Sequence, residues 1–201
     1  MGRSKKFLSL LAGTLLISFS APAVAVEKPP KGSLPIAQGP ILDPESGSYF
    51  ELRLNSKEVP SRHWGQANRA ASSASYKDRR GRLAVIKDIR TLNFVRDNFR
   101  FNQPAWIGLR FYCGFRKLVW VTGEIQPIKS PGMWAQRWHR TDIMCGKMGG
   151  PYMPVYLTDE GAGPVAYFQA SGGSKAFNTY LIEYPDPAKE KGAADSQASK
   201  D

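Results

Sequence analysis

Trp134, Trp138, His139, Arg140 and Tyr152, with Arg137 beside them, have side-chain types and spacing that could do chemistry. Tryptophan and tyrosine faces stack on the apolar faces of sugar rings or meet cationic groups. Arginine adds paired hydrogen bonds to carboxylate, sulfate or phosphate. Trp134, Trp138, His139, Arg140 and Tyr152 are therefore the candidate ligand-binding residues. A structural role competes for part of the set: Trp134 or Trp138 can plug this segment into a core, and His139 can be an ordinary hydrogen-bonding histidine. The sequence has two cysteines, Cys113 and Cys145. In an oxidising compartment two cysteines of one domain usually pair. Such a bridge would close a loop of roughly 30 residues and contribute about 3–4 kcal/mol through chain entropy. The competing reading, a reactive thiol, needs a neighbouring base, and His139 is the only histidine in that stretch.

Catalytic constellations are missing from the sequence. It has no Gly-x-Ser-x-Gly, His-Glu-x-x-His, Walker or dinucleotide-binding pattern. With two histidines in the whole chain, multi-histidine metal sites start at a disadvantage. Gly149-Gly150 and Gly172-Gly173 read as turns rather than phosphate cradles. The expectation is a protein that is not an enzyme and holds no cofactor and no metal.

Positioning these residues requires a folded unit, and the chain divides readily. Arg3, Lys5 and Lys6 precede an apolar run over 7–19, followed by Ala21-Pro22-Ala23-Val24-Ala25. That is the layout of a secretory signal peptide over 1–25, too short for a spanning helix. Export implies a periplasmic or secreted protein. Residues 26–44 are rich in proline and glycine and read as an extended leader. Residues 185–201 have no aromatic or β-branched side chain and read as a disordered tail. The folded unit is expected over 45–184. Of the formal net charge of +11, three positive charges belong to 1–25 and a net +8 sits on 33–184, with Arg79, Arg80, Arg82, Arg110, Arg116 and Lys117 as visible groups. Such a field attracts acidic partners, although a solvated face explains it equally well. Nucleic acid is a poor partner for an exported chain.

Within that unit, alternation of Phe50, Leu52 and Leu54 with Glu51 and Arg53 predicts a strand over 48–54. Pro60-Ser61 opens a helical stretch with Ser61 as its cap. Trp64, Ala67, Ala71 and Ala74 share one face of that helix. A charged turn at 78–81 leads to a short buried strand over 82–86, and Leu92, Val95 and Phe99 mark a second helix. Strands are expected over 105–109, 118–122, 154–157, 165–169 and 179–184. The segment 123–153 shows neither period and carries several prolines and glycines. A long irregular segment inside a compact domain is usually functional or disordered, and Trp134, Trp138 and Tyr152 argue against disorder.

Trp64-Gly-Gln-Ala67, Gly81-Arg-Leu-Ala-Val-Ile86, Trp106-Ile-Gly-Leu109, Trp120-Val-Thr-Gly-Glu124 and Tyr180-Leu-Ile-Glu-Tyr184 stand in this order along the chain. Together they resemble the C-type lectin-like domain family. The resemblance implies an α+β fold of two helices and short antiparallel sheets, with paired ends and ligand work in the long loop. It also implies a cysteine pair where Ala71 and Ile182 stand here, and a calcium-and-sugar site built from an acidic or amide triplet and a later Trp-Asn-Asp. Neither motif is present. The only carboxylates over 123–155 are Glu124 and Asp142, and none lies over 165–178, whereas calcium takes six to eight oxygen ligands.

The expected function is an exported binding module for a glycan or acidic envelope or host component, without the usual calcium site. The alternative is a protein–protein module: an adhesin, an inhibitor or an assembly factor. The family's fold serves both.

Overall fold

The computed structural model describes residues 37–54, 62–101, 103–135, 145, 150–159 and 166–190. The expected signal peptide over 1–25, the first part of the leader and residues 191–201 lie outside the described residues. In chain order the elements are β1 (Ala37–Leu42), β2 (Tyr49–Leu54), β3 (Arg62–His63), α1 (Trp64–Ser72), β4 (Ser75–Tyr76), β5 (Arg79–Arg80), β6 (Arg82–Leu83), α2 (Ile89–Asn98), β7 (Ala105–Tyr112), β8 (Lys117–Trp120), β9 (Ile125–Gln126), β10 (Tyr152–Asp159), β11 (Ala166–Ala170), β12 (Ala176–Phe177) and β13 (Thr179–Tyr184). This is the α+β layout expected from the sequence.

The main sheet runs β1-β2-β13-β7-β10-β11, with β6 on β13 and the β8–β9 ribbon on β7. The two ends of the domain pair antiparallel, from Tyr49 opposite Tyr184 to Leu54 opposite Thr179. β13 then meets β7 in parallel through Thr179 and Tyr180 against Ala105 and Trp106.

β1 falls within the stretch expected to be leader. It pairs with β2 across an irregularity between Gln38 and Ile41. Proline cannot donate to a ladder and is confined to edges and bulges, and Pro40 sits at that irregularity on the edge strand. The expected tail likewise begins with described residues: Asp186 accepts from the Lys189 and Glu190 backbone N–H groups, and Glu190 pairs with Arg82.

α1 begins at Trp64, with His63 as its cap residue, rather than near Ser61, which lies outside the described residues. The backbone N–H of His63 donates to Gln66 Oε1 at 3.0 Å. α2 is capped by Asp88, whose carboxylate accepts from the Thr91 N–H at 2.7 Å.

Period-two alternation along β7 divides the core between its two faces. Ile107, Leu109 and Phe111 face a cluster with Leu92 and Val95 of α2, Leu118, Trp120, Met153, Val155, Leu157 and Phe168. Trp106 faces the other cluster, with Trp64, Ala67 and Ala71 of α1, Tyr156, Tyr180 and Ile182. Ala71 and Ile182, where the resemblance implies a cysteine pair, are both fully buried in that second cluster. Both also border Gly81. Both positions are apolar members of one buried cluster.

Gly108 has a packing cause. A Cβ there would lie 2.7 Å from the Leu83 carbonyl oxygen and 2.9 Å from Val121 Cγ2. Its own N–H donates to the Ala84 carbonyl at 2.9 Å, and its carbonyl accepts from Val121 at 2.7 Å. Only glycine lets β7 approach both neighbours this closely.

Candidate ligand-binding surface

The long segment between β9 and β10 leaves the sheet in a fixed manner. Gln126 is buried, and its side chain is fully used. Its Oε1 accepts from Trp120 Nε1 at 2.9 Å, while Nε2 donates to the Lys87 carbonyl at 3.1 Å and to Ser130 Oγ at 3.0 Å. Residues 133–135 then run along β11. Phe168 donates to the Met133 carbonyl at 2.7 Å and accepts from Ala135 at 3.0 Å. Trp134 is half-buried and meets the Phe168 ring edge-on, with centroids 5.3 Å apart.

A second attachment is covalent. Cys145 is bonded to Cys113, just past β7, so the staple expected from the cysteine count is present. Trp138, His139 and Arg140 belong to 136–144, between these two attachments, and lie outside the described residues. Of the candidate ligand-binding set, Trp134 and Tyr152 can be placed. They are not brought together: Trp134 packs on the cluster shared with α2, and Tyr152 packs on the cluster shared with α1.

Tyr152 opens β10 directly opposite Tyr112, and Pro154 stands opposite Arg110. These side chains therefore share the α1-side face of the sheet. Tyr152 meets Trp64 at 5.9 Å and Tyr112 at 5.6 Å between ring centroids. The Arg110 guanidinium lies among all three rings, with its carbon 4.9 Å from the Trp64 ring, 5.2 Å from Tyr112 and 5.3 Å from Tyr152. Trp64 is locked in place by donating its indole N–H to the Ile107 carbonyl at 2.7 Å. From the sequence alone Arg110 is only part of a basic field. Strand alternation from Trp106 through Arg110 to Tyr112 could have shown the grouping, but the pairing of β10 with β7 brings in Tyr152.

Several other charges are held in ion pairs. Glu183 is buried and accepts from Arg82 Nε at 3.1 Å, Ser48 Oγ at 3.1 Å and the Val85 N–H at 3.0 Å. Asp43, also buried, holds Arg90 through contacts of 3.0 Å to both carboxylate oxygens. Burial alone would raise the Asp43 pKa. Hydrogen bonds from Ser46, Arg90 and the Glu45 backbone outweigh it and hold the carboxyl below its ordinary value. Tyr184 moves upward, through burial and then through donation of its hydroxyl to Glu51. A cleft of about 370 Å³ is lined by Arg82, Lys87, Arg90, Glu124, Glu183 and Lys189, among others. Arg82, Lys87 and Arg90 there already face protein carboxylates.

Glu124 bears on calcium. Its carboxylate accepts from Lys87 Nζ at 2.6 Å and from Thr122 Oγ1 at 2.9 Å. Burial opposes its charge, but these hydrogen bonds and the Lys87 charge leave its pKa lowered. Asp142 lies outside the described residues. Among the described residues no group of three or more His, Cys, Asp or Glu side chains is arranged to hold a metal. Glu124, the one carboxylate of 123–155 among the described residues, is thus already engaged by an ammonium group.

Two helices, a sheet closed by its own termini and a long excursion tied back to that sheet define a C-type lectin-like fold. The likeness to solved structures is to that same fold. The C-type lectin domain of murine dendritic cell inhibitory receptor 2, solved in complex with an N-glycan, aligns at a TM-score of 0.53 and 14% identity, over 77% of this chain and 100% of that one. The cow CD23 carbohydrate-recognition domain, solved with an oligosaccharide, aligns at a TM-score of 0.49 and 14% identity, over 69% of this chain and 88% of its own. No family model matches the sequence, and no curated protein matches it. No helix among the described residues is long and apolar enough to cross a membrane.

Proposed function

We propose that this chain is an exported, non-enzymatic binding module that recognises a glycan or another anionic component of a cell envelope or host surface, without calcium. The observation that carries this reading is the double attachment of the long segment. Trp134 is fixed to Phe168 on one side, and Cys145 is bonded to Cys113 on the other. Between them the sequence places Trp138, His139 and Arg140, residue types able to stack on a sugar ring and to donate hydrogen bonds to an oxyanion. Holding both ends of a binding segment lowers the entropy lost when a ligand orders it.

Two observations support a binding mode without calcium: Glu124 is already engaged by Lys87, and the acidic or amide triplet that the resemblance implies is absent from the sequence. In its place the surface offers arginine, which binds oxyanions through paired hydrogen bonds. The C-type lectin-like fold and the bound glycan in the murine domain support the choice of a saccharide. The disulfide supports an oxidising compartment, periplasmic or extracellular.

A glycan array run in calcium and again in EDTA tests the proposal. The expected result is a defined set of bound glycans that is unchanged by EDTA. Binding that vanishes in EDTA would refute the calcium-free reading. No glycan bound, with co-purification of a defined protein, would transfer the function to protein–protein recognition.

A further inference from the structure

Arg110 differs from the arginines that face a carboxylate. Arg53, Arg82 and Arg90 each face a carboxylate at 3.1 Å or less. Arg110 is half-buried among Trp64, Tyr112 and Tyr152, and its Nε is buried with no hydrogen-bond partner. Guanidinium stays charged in proteins and presents its N–H donors in its own plane. Aromatic faces stabilise the cation from above and below but do not satisfy donors that lie in that plane. Rings on this scale also strip water from the faces of the group. The cation is therefore oriented and partly desolvated, with in-plane donors left for an acceptor.

We propose that Arg110, Tyr112 and Tyr152 form a subsite for the carboxylate of an acidic saccharide. With Nε sealed, the two terminal amino groups are the edge a ligand can meet. That edge matches the two oxygens of one carboxylate. The half-buried rings of Tyr112 and Tyr152, centred 5.2 and 5.3 Å from the guanidinium carbon, carry hydroxyls that both donate and accept, suited to the ring hydroxyls next to a uronic or sialic carboxylate. Trp64, fixed through Ile107, holds the guanidinium plane. The inference rests on the glycan reading above and adds a ligand class and a position on the α1 side of the sheet.

The test is calorimetric titration of the full chain in EDTA with sialyllactose, a hyaluronan tetrasaccharide and tri-galacturonate, each against its methyl ester. At least one free acid should bind tenfold or more tightly than its ester. Arg110→Gln should abolish that difference, and Arg110→Lys, which keeps the charge but loses the planar pair of donors, should remove most of it. Tyr152→Phe should weaken the acid severalfold. Equal affinity of acid and ester across all three pairs overturns the subsite and leaves the glycan reading standing. Discrimination that survives in Arg110→Gln overturns it as well. Failure to bind any glycan, acidic or neutral, overturns both. Where Arg110→Gln does not fold, the comparison of acid with ester on the unaltered chain decides.

Discussion

Truncating Trp134 and truncating Trp138 should have opposite consequences. Trp134 is half-buried, forms a bridge with Phe168 and meets its ring edge-on at 5.3 Å. Removing a fully buried tryptophan side chain costs about 3–5 kcal/mol, so a half-exposed one costs roughly 2 kcal/mol. The lost edge-to-face pair adds about 0.5–1.5 kcal/mol, giving about 2.5–3.5 kcal/mol for Trp134→Ala. For a domain of this size that lowers the melting temperature by roughly 5–10 °C. Trp138→Ala combined with Arg140→Ala should behave as surface changes, within about 1 kcal/mol of the parent, yet weaken binding of the best array glycan at least tenfold. Scanning calorimetry and isothermal titration on the same preparations separate the two effects. A Trp134→Ala protein that melts with the parent, or a double variant that loses more stability than affinity, refutes the assignment of one tryptophan to the anchor and the other to the ligand.

Cys113→Ser with Cys145→Ser opens a loop of sequence separation 32 and should cost about 3–4 kcal/mol in denaturant unfolding; a loss under 1 kcal/mol would deny the staple its energetic role. Glu183→Ala strands the Ser48 hydroxyl and the Val85 N–H and leaves Arg82 with Glu190 alone. Breaking a buried pair of this kind costs about 3–5 kcal/mol, read as a shifted denaturation midpoint, and a midpoint unchanged from the parent would refute it. Acid should destabilise the fold. Asp43 and Glu124 have lowered pKa values, so near their ordinary range the unfolded chain binds more protons and stability rises with pH. The stability they provide is complete above about pH 5 and is lost as pH falls through their depressed values. Asp43→Asn with Glu124→Gln should flatten that acid limb, and an unchanged limb would remove these two groups from the account.

Much of this architecture could be read from side-chain pattern. Phe50, Leu52 and Leu54 alternate cleanly because β2 lies in the interior of the sheet, and Trp64, Ala67 and Ala71 share one helical face because α1 buries only that face. The strand over 82–86 shortened to Arg82–Leu83, since an apolar run records burial and not ladder pairing. β1 escaped notice because an edge strand interrupted by Gly39-Pro40 has no alternation to detect. At the site, the Cys113–Cys145 pairing followed from compartment and count. The grouping of Arg110 with Trp64 and Tyr152 did not, because it depends on the register of β10 against β7, which places Tyr152 opposite Tyr112. Register between strands 40 residues apart leaves no local trace in composition.

The most direct test of the calcium-free binding surface is chemical-shift mapping of isotope-labelled protein, titrated in EDTA with the best glycan from the array. The expected result is saturable movement of the Trp138 indole and of backbone signals at 136–144 and Tyr152, with the signals of Lys87, Arg90 and Glu124 unmoved. Shifts confined to the cleft beside α2, or shifts that appear only after calcium is restored, would contradict the account.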